Sequence, residues 1–384
     1  MEKVVVSVLI VCLCFGWSLQ DKVTVQELKS VNRSRSKSSV VGPRTFLGRP
    51  VVLTNFSSDL NCSIPPSPAV VCGSPPALEL KSNNTASYLQ GPISTILIPV
   101  LYILVLAVGL PLNLFTLCSL ASKVRKVSSA ILYCSLALSD LLLLLSLVFK
   151  AHYHLQGNQW LFGETACRVV SACFYGNLYC SAQTLACISV KRYLALVHPF
   201  MYKSLPKRRC TSWVTVVLWV VFGAGLVPEL LVQQSYLIKE LNIITCHDIL
   251  PLQFDSHRFL LYYNMVLIVF GLLLPLVVSM VCYVRILVEL NRSHSDWTLY
   301  IRCSSLVFFI FLVCFTPAGV LHFLHYVQLF ADGTEDLYMY FSVAVYLCCL
   351  HAAMDPFLFM LMSSSTGSNP YFRAFKSKTI SISV

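Results

Sequence analysis

Charged residues are scarce in this chain. Only 12% of its 384 residues are Asp, Glu, Lys or Arg, while 57% are hydrophobic. Ordinary soluble domains carry about 25% charged residues. So little charge cannot hold so much apolar surface in water. Soluble enzymes and nucleic-acid binders are therefore excluded, in spite of a net charge of +11. Catalytic signatures are missing too: there is no Walker phosphate loop, no metal-ligand spacing and no Ser/His/Asp arrangement. The Gly-x-Gly-Asp context of intramembrane aspartyl proteases is absent, and no inverted repeat of the transporter kind is visible. What the chain has in abundance is long apolar runs, the mark of a membrane protein.

Residues 1–18 combine Lys3, an apolar run from Val4 to Phe15 and small residues at Gly16 and Ser18. That layout is a secretory signal peptide, which places the mature N-terminus outside the cell. Residues 19–92 are rich in Ser, Pro, Asn and Val without a sustained period, and read as a disordered N-terminal ectodomain. Four glycosylation sequons fall there, at Asn32, Asn55, Asn61 and Asn83. Apolar segments follow near 93–121, 128–153, 165–191, 210–232, 259–289, 298–326 and 338–362. They predict an all-α membrane protein, a seven-transmembrane helix bundle over 93–362 with a short cytoplasmic tail at 363–384. Fifteen Lys and Arg, running from Lys123 to Lys378, fall on the inner face of this arrangement. Only four (Lys150, Arg168, Lys239 and Arg258) fall outside, as the positive-inside rule requires. The Asn291-Arg-Ser sequon then lies inside and should carry no glycan.

Most of the 17 cysteines lie within the spans as small apolar fillers. Cys167 and Cys246 instead sit at the oxidising outer face, where a bridge would pin the loop after the fourth span to the third. Cys62 and Cys72 are a second candidate pair. Two carboxylates, Asp140 and Asp355, fall inside spans, where each costs about 2.5–3.5 kcal/mol on insertion scales. They suggest a shared polar centre with Asn113 and Ser181, and a sodium ion is the candidate guest at Asp140; no obligate metal is implied. Pro228, Pro275, Pro317 and Pro356 are mid-span, the pattern of a bundle that hinges.

Several of these positions together resemble the class A, rhodopsin-like G-protein-coupled receptors. They are Asn113, Asp140, Cys167 twenty-five residues before Arg192, Trp219, Pro275 with Tyr283, Cys-Phe-Thr-Pro ending at Pro317, and Asp-Pro-Phe-Leu-Phe from Asp355. His-Leu-Gln-Gly-Asn-Gln-Trp-Leu-Phe-Gly-Glu (154–164), Phe-Tyr-Gly-Asn-Leu-Tyr-Cys (174–180) and Thr-Cys-His-Asp (245–248) narrow the resemblance to the protease-activated receptors. That family implies a tethered ligand: a protease cuts the ectodomain and the new N-terminus activates its own receptor. Val-Gly-Pro43-Arg44 followed by Thr45-Phe46-Leu47-Gly48-Arg49-Pro50 offers a trypsin-like site, with the proline that thrombin favours before the arginine. The chain would divide into an activation peptide at 19–44 and a ligand with its linker at 45–92. Pro50 shields Arg49 from the same enzymes, whereas a cut at Lys81 would disarm the receptor. The linker can stretch about 160 Å, so it folds back easily.

The new ammonium at Thr45, the Phe46 ring and the Arg49 guanidinium would seek acids at the outer face. Asp248 is the first candidate, with His247 beside it, then Asp255, Glu240, Asp332, Glu335 and Asp336. Binding would bias the bundle through Phe315, Pro317 and Pro356. A heterotrimeric G protein, Gq by family expectation, would meet Arg192, Tyr193 and Tyr283. Three departures stand out: Lys191 replaces the usual acid before Arg192, Phe359 replaces the usual tyrosine, and the tail lacks a cysteine. A second reading follows from them, in which the chain binds a protease and acts through a partner receptor.

Overall fold

The computed structural model describes residues 46–50, 76–80, 83–121, 124, 127–251, 263–292, 298–331 and 337–368. Asn32, Pro43, Arg44, Thr45, Asn55, Asn61, Cys62, Cys72, Asp255, Asp332, Glu335, Asp336 and the tail beyond residue 368 lie outside them, as does the expected signal peptide.

Seven helical spans build the bundle. α1 joins Asn83–Gln90, a π turn Ile93–Leu97 and Ile98–Ala121. α2 is Ser128–Leu155, α3 Gly163–Val197 and α4 Lys207–Leu231. α5 covers Tyr263–Leu290. α6 joins Thr298–Ile310, a π turn Phe311–Phe315 and Thr316–Ala331. α7 joins Tyr338–Cys348 to His351–Ser368.

Six of the spans are long and apolar enough to cross a membrane by composition alone; α3 is the exception. Its position explains this. Asn177, Ser181, Thr184 and Leu185 are all almost fully buried in α3, because α2, α4 and α5 pack around it. A helix shielded from lipid by its neighbours can carry polar groups, provided they find partners inside the bundle. The large exposed side chains of the other spans, such as Leu104, Phe115, Leu145 and Val281, are apolar and suit a hydrocarbon surround.

Three π turns share one pattern. Each ends two residues before a proline: Leu97 before Pro99, Leu273 before Pro275 and Phe315 before Pro317. Proline gives up one helical hydrogen bond and crowds the preceding turn, and the wider π turn absorbs that mismatch. Pro228 and Pro356 instead lie within uninterrupted α-helix.

The expectation of a disordered ectodomain up to residue 92 needs correction at three places. Asn83–Gln90 is helical, so α1 starts well before residue 93. Phe46–Pro50 (β1) and Ala77–Leu80 (β2) are strands. They join β3 (Ser235–Ile238), β4 (Ile243–Cys246) and β5 (Ile249–Pro251) in a sheet of order β4-β3-β2-β1-β5. Main-chain pairing with an existing loop hairpin supplies the order that these segments' own sequence lacks. β3 and β4 form an antiparallel hairpin, β2 runs parallel to β3, and β1 is antiparallel to β2 and parallel to β5. Only His247 and Asp248 separate β4 from β5, the two edge strands. Their ends therefore lie within about 11 Å, the reach of three residues, and the sheet must coil strongly. His247, at φ 69, makes the corner.

Candidate functional site

The outer end of the bundle gathers a buried polar cluster under this sheet. Cys167 near the start of α3 is bonded to Cys246 at the end of β4, with Cα atoms 5.7 Å apart. That bond fixes the two residues that follow it. Asp248 is 7% exposed, and the Tyr153 hydroxyl of α2 donates to its Oδ2 at 2.6 Å. Lys150, one turn below, is 3% exposed; its Nζ lies 3.5 Å from the Cys246 carbonyl and over the Tyr153 and Phe174 rings. A buried ammonium near a buried carboxylate keeps the pocket close to neutral, which lowers the cost of burying either charge.

The surrounding wall is aromatic. Tyr102 packs edge-on against Tyr346 and Phe174, and the Tyr88 and Tyr346 hydroxyls are 3.4 Å apart. His154 meets Asn158 at 2.7 Å, and the Asn158 amide donates to the Leu89 carbonyl and Ser94 hydroxyl, tying the loop after α2 to α1. His247 is buried against Tyr175, with its Nδ1 3.0 Å from Gln234 Oε1. These contacts fix the corner between β4 and β5. Glu164 accepts from the backbone N–H groups of Gln234 and Ser235, at 2.9 and 2.8 Å, and ties the hairpin to α3. Burial pushes the Tyr236 phenol of β3 up, and the Glu164 carboxylate nearby adds to that.

At mid-depth, the Ser181 hydroxyl donates to Asp140 Oδ1 at 3.2 Å, and Asn177 donates to Ser139 and Ser181. Asn113 donates to the Gly109 and Ala352 carbonyls rather than to either aspartate. The unexpected member is His351, whose Nε2 lies 3.5 Å from Asp140 Oδ1. Asp140, His351 and Asp355 can each bring one ligand atom within 4.8 Å of the others. His351 stands four residues before Asp355, a helical spacing that puts both on one face and could have revealed it. Asp140 Oδ2 and both Asp355 oxygens are buried without a hydrogen-bond partner among the described residues. These oxygens fit a hard cation such as sodium, whereas the imidazole is a softer donor.

Phe315 packs 4.8 Å from the His351 ring, and Phe359 lies 6.4 Å from Tyr133. On the inner face the Arg192 Nη2 donates to the Tyr133 hydroxyl at 2.8 Å. Lys191 points its ammonium at the Ser128 and Thr211 hydroxyls, at 3.0 and 3.2 Å. These two bonds tie α3 to α2 and α4. Tyr193 meets His198 at 2.9 Å, and Tyr283 stacks on Phe308 with its hydroxyl 3.2 Å from Ser305.

Residues 112–359 match the family model described as "7 transmembrane receptor (rhodopsin family)". The chain is 41% identical over 285 residues to proteinase-activated receptor 3 of Bos taurus, covering 74% of this chain and 75% of that protein. It is 39% identical to the Homo sapiens receptor of the same name over 74% of this chain and 76% of the relative. Proteinase-activated receptor 1 of Mus musculus is 34% identical over 84% of this chain and 74% of its own length. With this bundle and its loop disulfide, the chain is a receptor and belongs to the proteinase-activated receptors of the rhodopsin family.

Proposed function

We propose that this chain is a plasma-membrane receptor switched on by thrombin or another trypsin-like serine protease cutting between Arg44 and Thr45. The freed Thr45–Pro50 segment is its tethered ligand. The observation that carries this reading is the chain's similarity to receptors named for proteinase activation, together with a Pro43-Arg44 site ahead of the membrane. Asp248 supports it as the acceptor of the new ammonium. It is an acid at the outer end of the bundle, held in place by the Tyr153 hydroxyl, and it follows the disulfide-bonded Cys246 by two residues. Tethering supplies an effective concentration near mM, so modest intrinsic affinity suffices.

Binding acts by preferring one state of the bundle over another. Phe315 packs on His351 of the polar centre, and Pro317 follows the π turn of α6, so a shift of α6 would reach that centre. A shift there would free Arg192 from Tyr133 and open the face offered to a G protein, Gq by family expectation. A sodium ion at Asp140 and Asp355 would favour the resting centre by neutralising the paired carboxylates.

The test is a receptor tagged ahead of Arg44 and treated with thrombin or trypsin, read by tag release and intracellular calcium. Both signals should vanish in Arg44→Gln. No release with either enzyme would sink the cleavage site.

Lys191 and Phe359 favour a second reading, a protease-binding co-receptor that signals through a partner. Release without calcium, with several G proteins supplied, would select it. In that case Lys191→Asp with Phe359→Tyr should restore autonomous signalling.

A further inference from the structure

The pairing of Phe46–Pro50 within the sheet goes beyond the cleavage reading. On one side Gly48, Arg49 and Pro50 stand opposite Leu80, Glu79 and Leu78. On the other, Phe46, Leu47 and Gly48 stand opposite Ile249, Leu250 and Pro251. β1 thus fills the space between two strands that the receptor anchors independently. β2 is held from its far side, where Leu237 and Lys239 donate their N–H groups to the Pro76 and Leu78 carbonyls at 3.0 and 3.2 Å. Glu240 Oε1 accepts from the Leu80 N–H at 2.9 Å. β5 follows two residues after Cys246, which is bonded to α3. Without β1, the two walls would face each other across roughly 10 Å, two strand spacings, with unpaired main-chain groups on both sides. An extended peptide adds to such edges through its backbone, and the ladder register fixes its position.

We propose that the gap between β2 and β5 is the docking slot for the receptor's own ligand segment, and that Phe46–Pro50 occupies it before cleavage as well as after. This rests on Thr45–Pro50 being the ligand. It changes what the protease accomplishes. Hydrolysis of the Arg44–Thr45 bond consumes one water, leaves a carboxylate on the departing peptide and puts an ammonium on Thr45. No long search by the linker is needed, because the strand behind that ammonium is already seated. The parallel register pairs Phe46, the first residue of the strand, with Ile249, the residue that follows the buried acid Asp248. Cleavage then adds a charge one residue ahead of a strand that is already seated.

The test uses the full-length, uncleavable Arg44→Gln receptor with Arg49→Cys and Glu79→Cys added. Residues opposed on antiparallel strands have Cα atoms about 4.5–5.5 Å apart, within disulfide range. The 49–79 bridge, read by peptide mass spectrometry, should form in the uncleaved chain. It should form at least tenfold more than in an off-register Arg49→Cys, Ala77→Cys control. Equal bridging in both, or bridging only when Arg44 is retained and cut, overturns the proposal. A second measurement follows labelled TFLGRP peptide binding to Arg44→Gln, with and without replacement of residues 46–50 by Gly and Ser. Emptying the slot should raise binding at least tenfold; no gain counts against the proposal. Tag release from the Arg44 receptor reports cleavage separately, so its failure would sink the cleavage reading while leaving the bridging result to stand alone.

Discussion

The outer end of the bundle and its polar centre are built on opposite principles. At the outer end, covalent and main-chain ties follow one another. Cys167 is bonded to Cys246, Trp160 donates its N–H to the Ile244 carbonyl at 2.8 Å, and Gln159 and Glu164 hold the hairpin's own N–H groups. At mid-depth, Asp140 Oδ2, Asn177 Oδ1 and both Asp355 oxygens are buried with no hydrogen-bond partner among the described residues. On the inner side the same holds for Arg192 Nε and Nη1. Buried polar groups without partners are few in folded proteins, and each marks a place where another arrangement could bind better. Thr85 Oγ1 and Tyr102 Oη at the outer end lack partners among the described residues as well, but there the covalent and main-chain ties dominate, whereas the centre is where a change of state has free energy to recover.

Breaking the cross-ties of the outer end should have the largest effect. Cys246→Ser removes a bridge between residues 79 apart in sequence. Loss of a native disulfide costs about 2–5 kcal/mol. Surface display and the melting temperature of detergent-purified receptor should both fall, and Cys167→Ser should match it without the two adding. An additive double mutant would mean that each cysteine has a separate role.

Next in size is the inner tie. Tyr133→Phe removes the hydroxyl that holds Arg192, and hydrogen bonds to charged groups contribute about 1.5–3 kcal/mol. Basal G-protein activity should rise while surface display stays near normal. Unchanged basal activity would show that Tyr133 does not restrain the resting state.

The bundle was legible in the sequence because hydrocarbon demands long apolar runs, and the inner face because basic residues mark it. Asp140 and Asp355 stood out for the same reason: charge is costly in a span. His351 did not, since a lone histidine among Cys348, Cys349 and Ala352 carries no such penalty when neutral. The sheet was hidden more deeply. Phe-Leu-Gly-Arg-Pro and Ala-Leu-Glu-Leu are too short and mixed to signal strands, and their order comes from partners far along the chain. The formal charge of Lys191 was visible in the sequence, while its partners, the hydroxyls of Ser128 and Thr211 on two other helices, were not.

The centre can be relaxed by Asp355→Asn, which keeps the shape but removes one of two carboxylates sharing a buried cluster with His351. Because that carboxylate lacks partners among the described residues, neutralising it should stabilise the receptor by about 1–3 kcal/mol, seen as a higher melting temperature. Asp140→Asn should gain less, since Ser181 already donates to that side chain. Equal gains would mean that the two aspartates share one environment.

The smallest expected effect comes from Lys191. Its ammonium reaches two neutral hydroxyls at the bundle's inner rim, where Lys191 and Ser128 are partly exposed and water competes for both, so each bond is worth no more than about 0.5–1.5 kcal/mol. Lys191→Ala should therefore lower the melting temperature slightly and raise basal activity less than Tyr133→Phe does. Lys191→Met separates two causes. It retains most of the side chain's length but loses the ammonium, so it should behave like alanine if the hydroxyl bonds matter and like wild type if the stem's packing does. A rise in basal activity with Lys191→Met equal to that of Tyr133→Phe would move the main restraint on Arg192 from Tyr133 to its neighbour. The inner face would then be as firmly tied as the outer end.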